Sequence, residues 1–102
     1  MRAPRILLLA GLGALALPAA AATHTVTIEG MKFVPETLTV KKGDRIVWTN
    51  KDVVPHTATA KGAFDSRSIA AGKSWSHVAR KPGRHAYVCT FHPGMKATLV
   101  VQ

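Results

Sequence analysis

Between Tyr87 and Met95 the chain reads YVCTFHPGM, so its single cysteine, Cys89, is followed at equal intervals by His92 and Met95. A thiolate, an imidazole and a thioether gathered on so short a stretch are metal-ligand chemistries. Tight binding needs a fourth donor from elsewhere. His56 is the candidate: it follows Pro55 at the start of one strand-like run, and Asn50 closes the run before it, so it falls where strand ends and loops meet. A lone methionine is commonly core filler, and a lone histidine is commonly a hydrogen-bonded or surface residue. What singles these four out is their joint pattern, Cys89-x-x-His92-x-x-Met95 with an upstream Pro-His. A structural zinc site would bring more cysteines and no methionine. Two histidines and a cysteine with a weak axial methionine are the set of a blue-copper site, in which thiolate and thioether suit Cu(I) and imidazole suits both oxidation states.

The elements that must position these donors read as strands throughout. HTVTI, TLTV and RIVWTN alternate, with Val26 and Ile28, Leu38 and Val40, and Ile46 and Trp48 each sharing a face. HTATA, after Pro55, is a further candidate strand, whereas GAFDSRS reads as a polar loop. SWSHVA puts Trp75, His77 and Ala79 together; RHAYVC does the same for His85, Tyr87 and Cys89. ATLVVQ closes the chain, with Leu99 and Val101 opposite Thr98 and Val100. Turn signals separate the runs at KKGD, AGK and KPG, and no window carries a helical apolar stripe. The pattern predicts an all-β Greek-key sandwich or barrel. Cys89 is expected to end one strand and Ala97 to begin the next, with His92 and Met95 in the connecting hairpin loop.

Residues 1–22, MRAPRILLLAGLGALALPAAAA, read as a secretory signal peptide: two arginines, an apolar run shorter than a bilayer span, then a small-residue cleavage site. Residues 23–102 are then one domain of about 80 residues. Losing Arg2 and Arg5 takes the net charge from +9 to about +7. Such a surface favours acidic partners, and the basic residues are too scattered for nucleic acid. In an oxidising compartment the lone Cys89 cannot form an intrachain disulfide, which leaves it as a reactive thiol, an intermolecular bridge or a metal ligand. Cleavage after Ala21 would start the chain at Ala22-Thr23-His24, an order that can wrap Cu(II) or Ni(II) in nitrogens; cleavage after Ala22 would remove that geometry. His77 and His85, within strands, read as structural.

From Thr25 to Val101 the chain resembles the small cupredoxins, most closely the amicyanin branch, with plastocyanin and pseudoazurin as relatives. The stretches that carry the resemblance are VKKGDRIVWTN, PHTATA, KPG and YVCTFHPGM followed by ATLVV. It implies one copper ion, cycling between Cu(I) and Cu(II), held by His56, Cys89, His92 and Met95. It also implies that Asn50 braces the cysteine loop through Thr90. Phe91 stands where amicyanins tend to have proline, so its N–H becomes free to donate to the Cys89 sulfur. Gly94, His85 and Ala79 depart from the family as well, the first flattening or loosening the surface around His92 and the other two altering core packing.

The expected function is a monomeric periplasmic blue-copper protein that carries single electrons between redox proteins. The resemblance suggests a quinone-containing amine dehydrogenase as donor and a c-type cytochrome as acceptor. Copper storage or delivery is the alternative, although the methionine- and histidine-rich tracts of copper-handling proteins are missing. An enzyme is not expected, because a Cys–His nucleophile needs an aligned base and a substrate cleft.

Overall fold

A computed structural model describes residues 20–102, so the signal-peptide reading falls almost wholly outside the described residues. Among the described residues nine strands form two sheets. They are β1 (Thr23–Ile28), β2 (Phe33–Val34), β3 (Thr37–Val40), β4 (Arg45–Asn50), β5 (Thr59–Ala60), β6 (Phe64–Asp65), β7 (Ser74–Val78), β8 (Gly83–Cys89) and β9 (His92–Val101). One sheet has the order β2-β1-β4-β7 and the other β3-β9-β8-β5-β6. The pairs β1/β4 and β3/β9 are parallel and the remainder antiparallel.

The period-two pattern decides which side chains face inward. Val26, Ile28, Ile46 and Trp48 from the first sheet meet Tyr87, Cys89, Leu99 and Val101 from the second, all buried. Trp48 is the largest fully buried side chain. Its ring packs against Phe64, Trp75 and Tyr87 at centroid distances of 5.3, 5.4 and 5.7 Å, and its Nε1–H donates to the Tyr87 hydroxyl at 3.2 Å. Burial pushes the Tyr87 phenol up to about 12 although the Trp48 hydrogen bond pulls the other way, so at neutral pH the hydroxyl stays un-ionised and serves as that acceptor. The half-buried His77 stacks on Trp75, its pKa lowered by burial and then by Arg80 and His85. His85 makes a 2.7 Å hydrogen bond with the Lys81 carbonyl.

Two segments differ from the sequence expectation. GAFDSRS contains β6, which pairs with the equally short β5, and within HTATA the strand is confined to Thr59–Ala60, with His56 in a separate bridge; two-residue strands are too short to show a period. Likewise β9 starts at His92 rather than Ala97. Cys89 pairs with His92 and Val88 with Lys96, so the register breaks between Val88 and Cys89 and the strand bulges through Pro93, Gly94 and Met95. A proline and a glycine read as a loop, yet a bulge accommodates both without ending the strand.

Strand direction gathers the relevant ends at one pole. β4 ends at Asn50, β8 ends at Cys89 and β9 begins at His92. β1 runs parallel to β4 with Ile28 opposite Asn50, so the Gly30–Met31 turn emerges at the same pole.

Candidate metal centre

Cys89 alternates with Tyr87 along β8, which turns its sulfur inward, and the side chain is fully buried. His56 is held by a bridge to Ile69, with N–H···O distances of 3.2 and 2.7 Å in the two directions, and is also fully buried. His92, half-buried, enters from the other side of the strand connection. The ligating atoms of these three residues all lie within 4.8 Å of one another. Cys89 Sγ is 3.6 Å from His56 Nδ1 and 3.5 Å from His92 Nδ1. Donors bound at about 2.0 Å (nitrogen) and 2.3 Å (sulfur) to one ion in a trigonal plane stand roughly 3.7 Å apart, so both contacts have the spacing that a shared ion requires. Met95 is buried three residues along β9 from His92, on the bulged segment.

The surroundings of the thiol and imidazoles depart in part from expectation. Among the described residues, the N–H that reaches Cys89 Sγ is that of Thr57, at 3.4 Å, and the Phe91 N–H is not among its partners. The expected Asn50–Thr90 brace is divided between other pairs. Thr90 N–H donates to Thr57 Oγ1 at 2.8 Å, and the two hydroxyls lie 3.1 Å apart. Asn50, fully buried, donates from Nδ2 to the carbonyls of Val54 and Ile69 at 2.8 and 2.9 Å and accepts the Asp52 N–H at 2.9 Å. Asn50 thus braces the loop that presents His56, and Thr57 braces the loop that presents Cys89. Phe91 itself is half exposed, beside His92, and Gly94 is exposed with open space where a Cβ would point.

Sequence reasoning missed Thr57 and Asp52. Asp52 Oδ2 lies 2.8 Å from His56 Nε2, while its oxygens also accept the N–H groups of Gly30 and Met31 at 2.8 and 3.0 Å. The Met31 N–H, with those of Gly30 and the His56 ring, holds the Asp52 carboxyl below the usual carboxylate range against the opposing effect of desolvation. The only advance signal was an acid four residues before a candidate ligand.

The donor set is soft, buried and nitrogen–sulfur in type, and it matches copper. A cupredoxin-like domain model matches residues 5–101. Amicyanin-alpha from Methylorubrum extorquens is 30% identical over 90 residues, covering 82% of this chain and 76% of that protein. Amicyanin from Paracoccus versutus is 29% identical over 83 residues, covering 76% of this chain and 63% of its own length. Among solved structures, the Cu(I) form of an amicyanin variant superposes with a TM-score of 0.75 at 28% identity, covering 82% of this chain and 86% of the other. A copper-containing nitrite reductase from Thermus scotoductus also superposes, with a TM-score of 0.73 at 27% identity; the match covers 89% of this chain and 24% of the reductase. The family model's reach over nearly the whole sequence agrees with the two-sheet architecture and the His–Cys–His cluster, and the chain belongs to the cupredoxin-like domain family.

Proposed function

We propose that this protein is a blue-copper electron carrier, with His56, Cys89, His92 and Met95 holding one copper ion. The observation that carries the reading is the donor triangle, in which a buried cysteine sulfur stands 3.5 and 3.6 Å from two imidazole nitrogens. Copper held there would accept and return single electrons between its Cu(II) and Cu(I) states. The residues keep that exchange cheap in structural terms. Cys89 and His56 are fully buried, fixed by β8 and by the Ile69 bridge, so the site has little room to rearrange. Thr57 N–H partly offsets the charge of the Cys89 thiolate. Met95, shielded from solvent, would supply a weak thioether donor.

His92 is the port. It is the one half-buried member of the triangle, and among the described residues four of the five exposed large apolar side chains (Met31, Val53, Val54 and Phe91) lie in the loops of the same pole. Such a rim suits brief docking against another redox protein. The remaining positive charge favours an acidic partner face; the amicyanin likeness makes an amine dehydrogenase and a c-type cytochrome the partner classes to test. No helix among the described residues is long and apolar enough to cross a membrane, and the N-terminal 1–22 segment supports export to a periplasm.

An enzymatic role is disfavoured because four donors leave no open position for a substrate, although the nitrite reductase likeness places related domains inside enzymes. Delivery of the ion is disfavoured by the buried, braced His56. Loading with Cu(II) tests the reading: an intense visible copper–thiolate band and a reversible one-electron titration are expected. A pale Cu(II) complex would overturn it.

A further inference from the structure

We propose that Asp52 is the positioning residue of the centre: its carboxylate fixes the His56 ring with Nδ1 toward the metal and ties that ring to the exposed Gly30–Met31 turn. The inference rests on the copper reading above. It starts from the two nitrogens of a fully buried ring. Nδ1 stands 3.6 Å from Cys89 Sγ, and Nε2 stands 2.8 Å from Asp52 Oδ2. A nitrogen that is to bind a metal must be unprotonated, so the ring proton belongs on Nε2 and donates to the carboxylate. That arrangement fixes the tautomer, stops the ring from turning and makes Nδ1 a stronger donor.

The carboxylate is itself immobilised. Oδ1 accepts the Gly30 N–H, Oδ2 accepts the Met31 N–H, and the Asp52 N–H donates to Asn50. Gly30 and Met31 have φ of 63° and 61°, so two successive N–H groups turn toward one anion. Met31 has a side chain and seldom adopts this conformation unaided; the hydrogen bond to Asp52 is what keeps it there. Asn50 completes the frame by donating to the carbonyl of Ile69, the residue whose backbone bridges His56. Among the described residues, no carboxylate is hydrogen-bonded to the His92 ring. One imidazole of the pair is therefore clamped by a carboxylate and the other is not.

A carboxylate one ring away from the ion also favours the more positive oxidation state. Asp52→Asn removes the charge and leaves one oxygen for three former donors. In the copper-loaded protein it is expected to weaken Cu(II) binding by about 10–100-fold, with a smaller loss for Cu(I), and so to raise the reduction potential. Each tenfold difference between the two losses appears as about 59 mV. The Gly30 and Met31 amides should exchange with solvent faster than in the wild type. Asp52→Glu, which restores the charge, should bring the potential back toward the wild-type value. A wild-type potential and wild-type Cu(II) affinity in Asp52→Asn would overturn the proposal.

If Asp52→Asn fails to fold, nitrogen and proton NMR of wild-type Cu(I) protein decides instead. A slowly exchanging His56 Nε2–H supports the role, and a rapidly exchanging or absent one removes it. Failure of the copper reading looks different: the wild-type protein itself would lack the visible band.

Discussion

Two histidine–carboxylate pairs stand at opposite ends of β4, and only one of them adjoins the proposed metal centre. His56 Nε2 meets Asp52 Oδ2 at 2.8 Å beyond Asn50; His24 Nε2 meets Asp44 Oδ2 at 2.9 Å before Arg45. Six residues of strand put about 20 Å between them. Each carboxylate also collects two backbone N–H groups: Gly30 and Met31 for Asp52, Ala22 and Lys41 for Asp44. The pairs part company at the other ring nitrogen. His56 is fully buried and turns Nδ1 onto a cysteine sulfur, whereas the His24 side chain is 27% exposed and belongs to no metal-ligand cluster among the described residues. The same hydrogen bonds therefore make a strand clasp at one pole and a ligand clamp at the other. A soft donor beside the free nitrogen is what converts the first into the second.

The largest expected effect comes from removing that soft donor. Cys89→Ser should abolish the visible band completely, because the thiolate is the source of the colour, while the Asp52 and Asp44 clasps persist and the apo domain still melts cooperatively. A retained band would show that the sulfur is not a ligand. Next comes the core that both poles share. Trp48→Ala removes a fully buried ring and the partner of the Tyr87 hydroxyl, at a cost of about 3–5 kcal/mol. Denaturant unfolding of the apo protein measures it, and a loss below about 1 kcal/mol would mean that Trp48 does not organise the core.

The unequal legibility of the two poles has a physical cause. Val26, Ile28, Ile46 and Trp48 announce their strands because alternation is local, and Cys89, His92 and Met95 announce a metal because their donor types are rare together. His56 was reachable through its Pro-His context. Asp52 and Thr57 were not, because their partners lie across loops whose paths depend on tertiary packing. Thr90 illustrates the limit: its hydroxyl and N–H both find Thr57, a choice fixed by where the His56 loop crosses β8 rather than by any residue near Thr90. The bulge that admits Pro93 and Gly94 into β9 was hidden for the same reason.

A smaller effect separates the two carboxylates. Backbone hydrogen bonds from Lys41 and Ala22, and then the His24 ring, hold Asp44 at about 2, against an ordinary 3.8. A lowered folded-state pKa stabilises the fold at pH values above the unfolded one, and that contribution is lost as pH falls from about 4 toward 2. Asp44→Asn should therefore lower stability at neutral pH and flatten this part of the acid limb, leaving the reduction potential as it was. Asp52→Asn should do the reverse to the potential. If Asp44→Asn shifted the potential as far as Asp52→Asn, the division between clasp and clamp would fail.

The smallest effect is expected where the sequence offers a second metal site. In a chain starting at Ala22, the α-amine, the amides of Thr23 and His24 and the His24 ring could surround Ni(II) or Cu(II) in a plane. The fold already commits these groups. Ala22 N donates to Asp44 Oδ1 at 2.9 Å, the Ala22 carbonyl accepts the Arg45 N–H at 2.9 Å, Thr23 and His24 pair with Arg45 and Ile46, and the His24 ring is on Asp44. Wrapping an ion would strip the first residues of β1 from β4 and break the Asp44 clasp, and the metal must offset that loss before it binds. Nickel titration of copper-loaded protein starting at Ala22 should consequently show only weak uptake of a further equivalent, and Asp44→Ala, which frees both the amine and the ring, should tighten it. Tight uptake by the unaltered chain, with the melting temperature unchanged, would show that the clasp offers no resistance and that the two poles differ less than their surroundings imply.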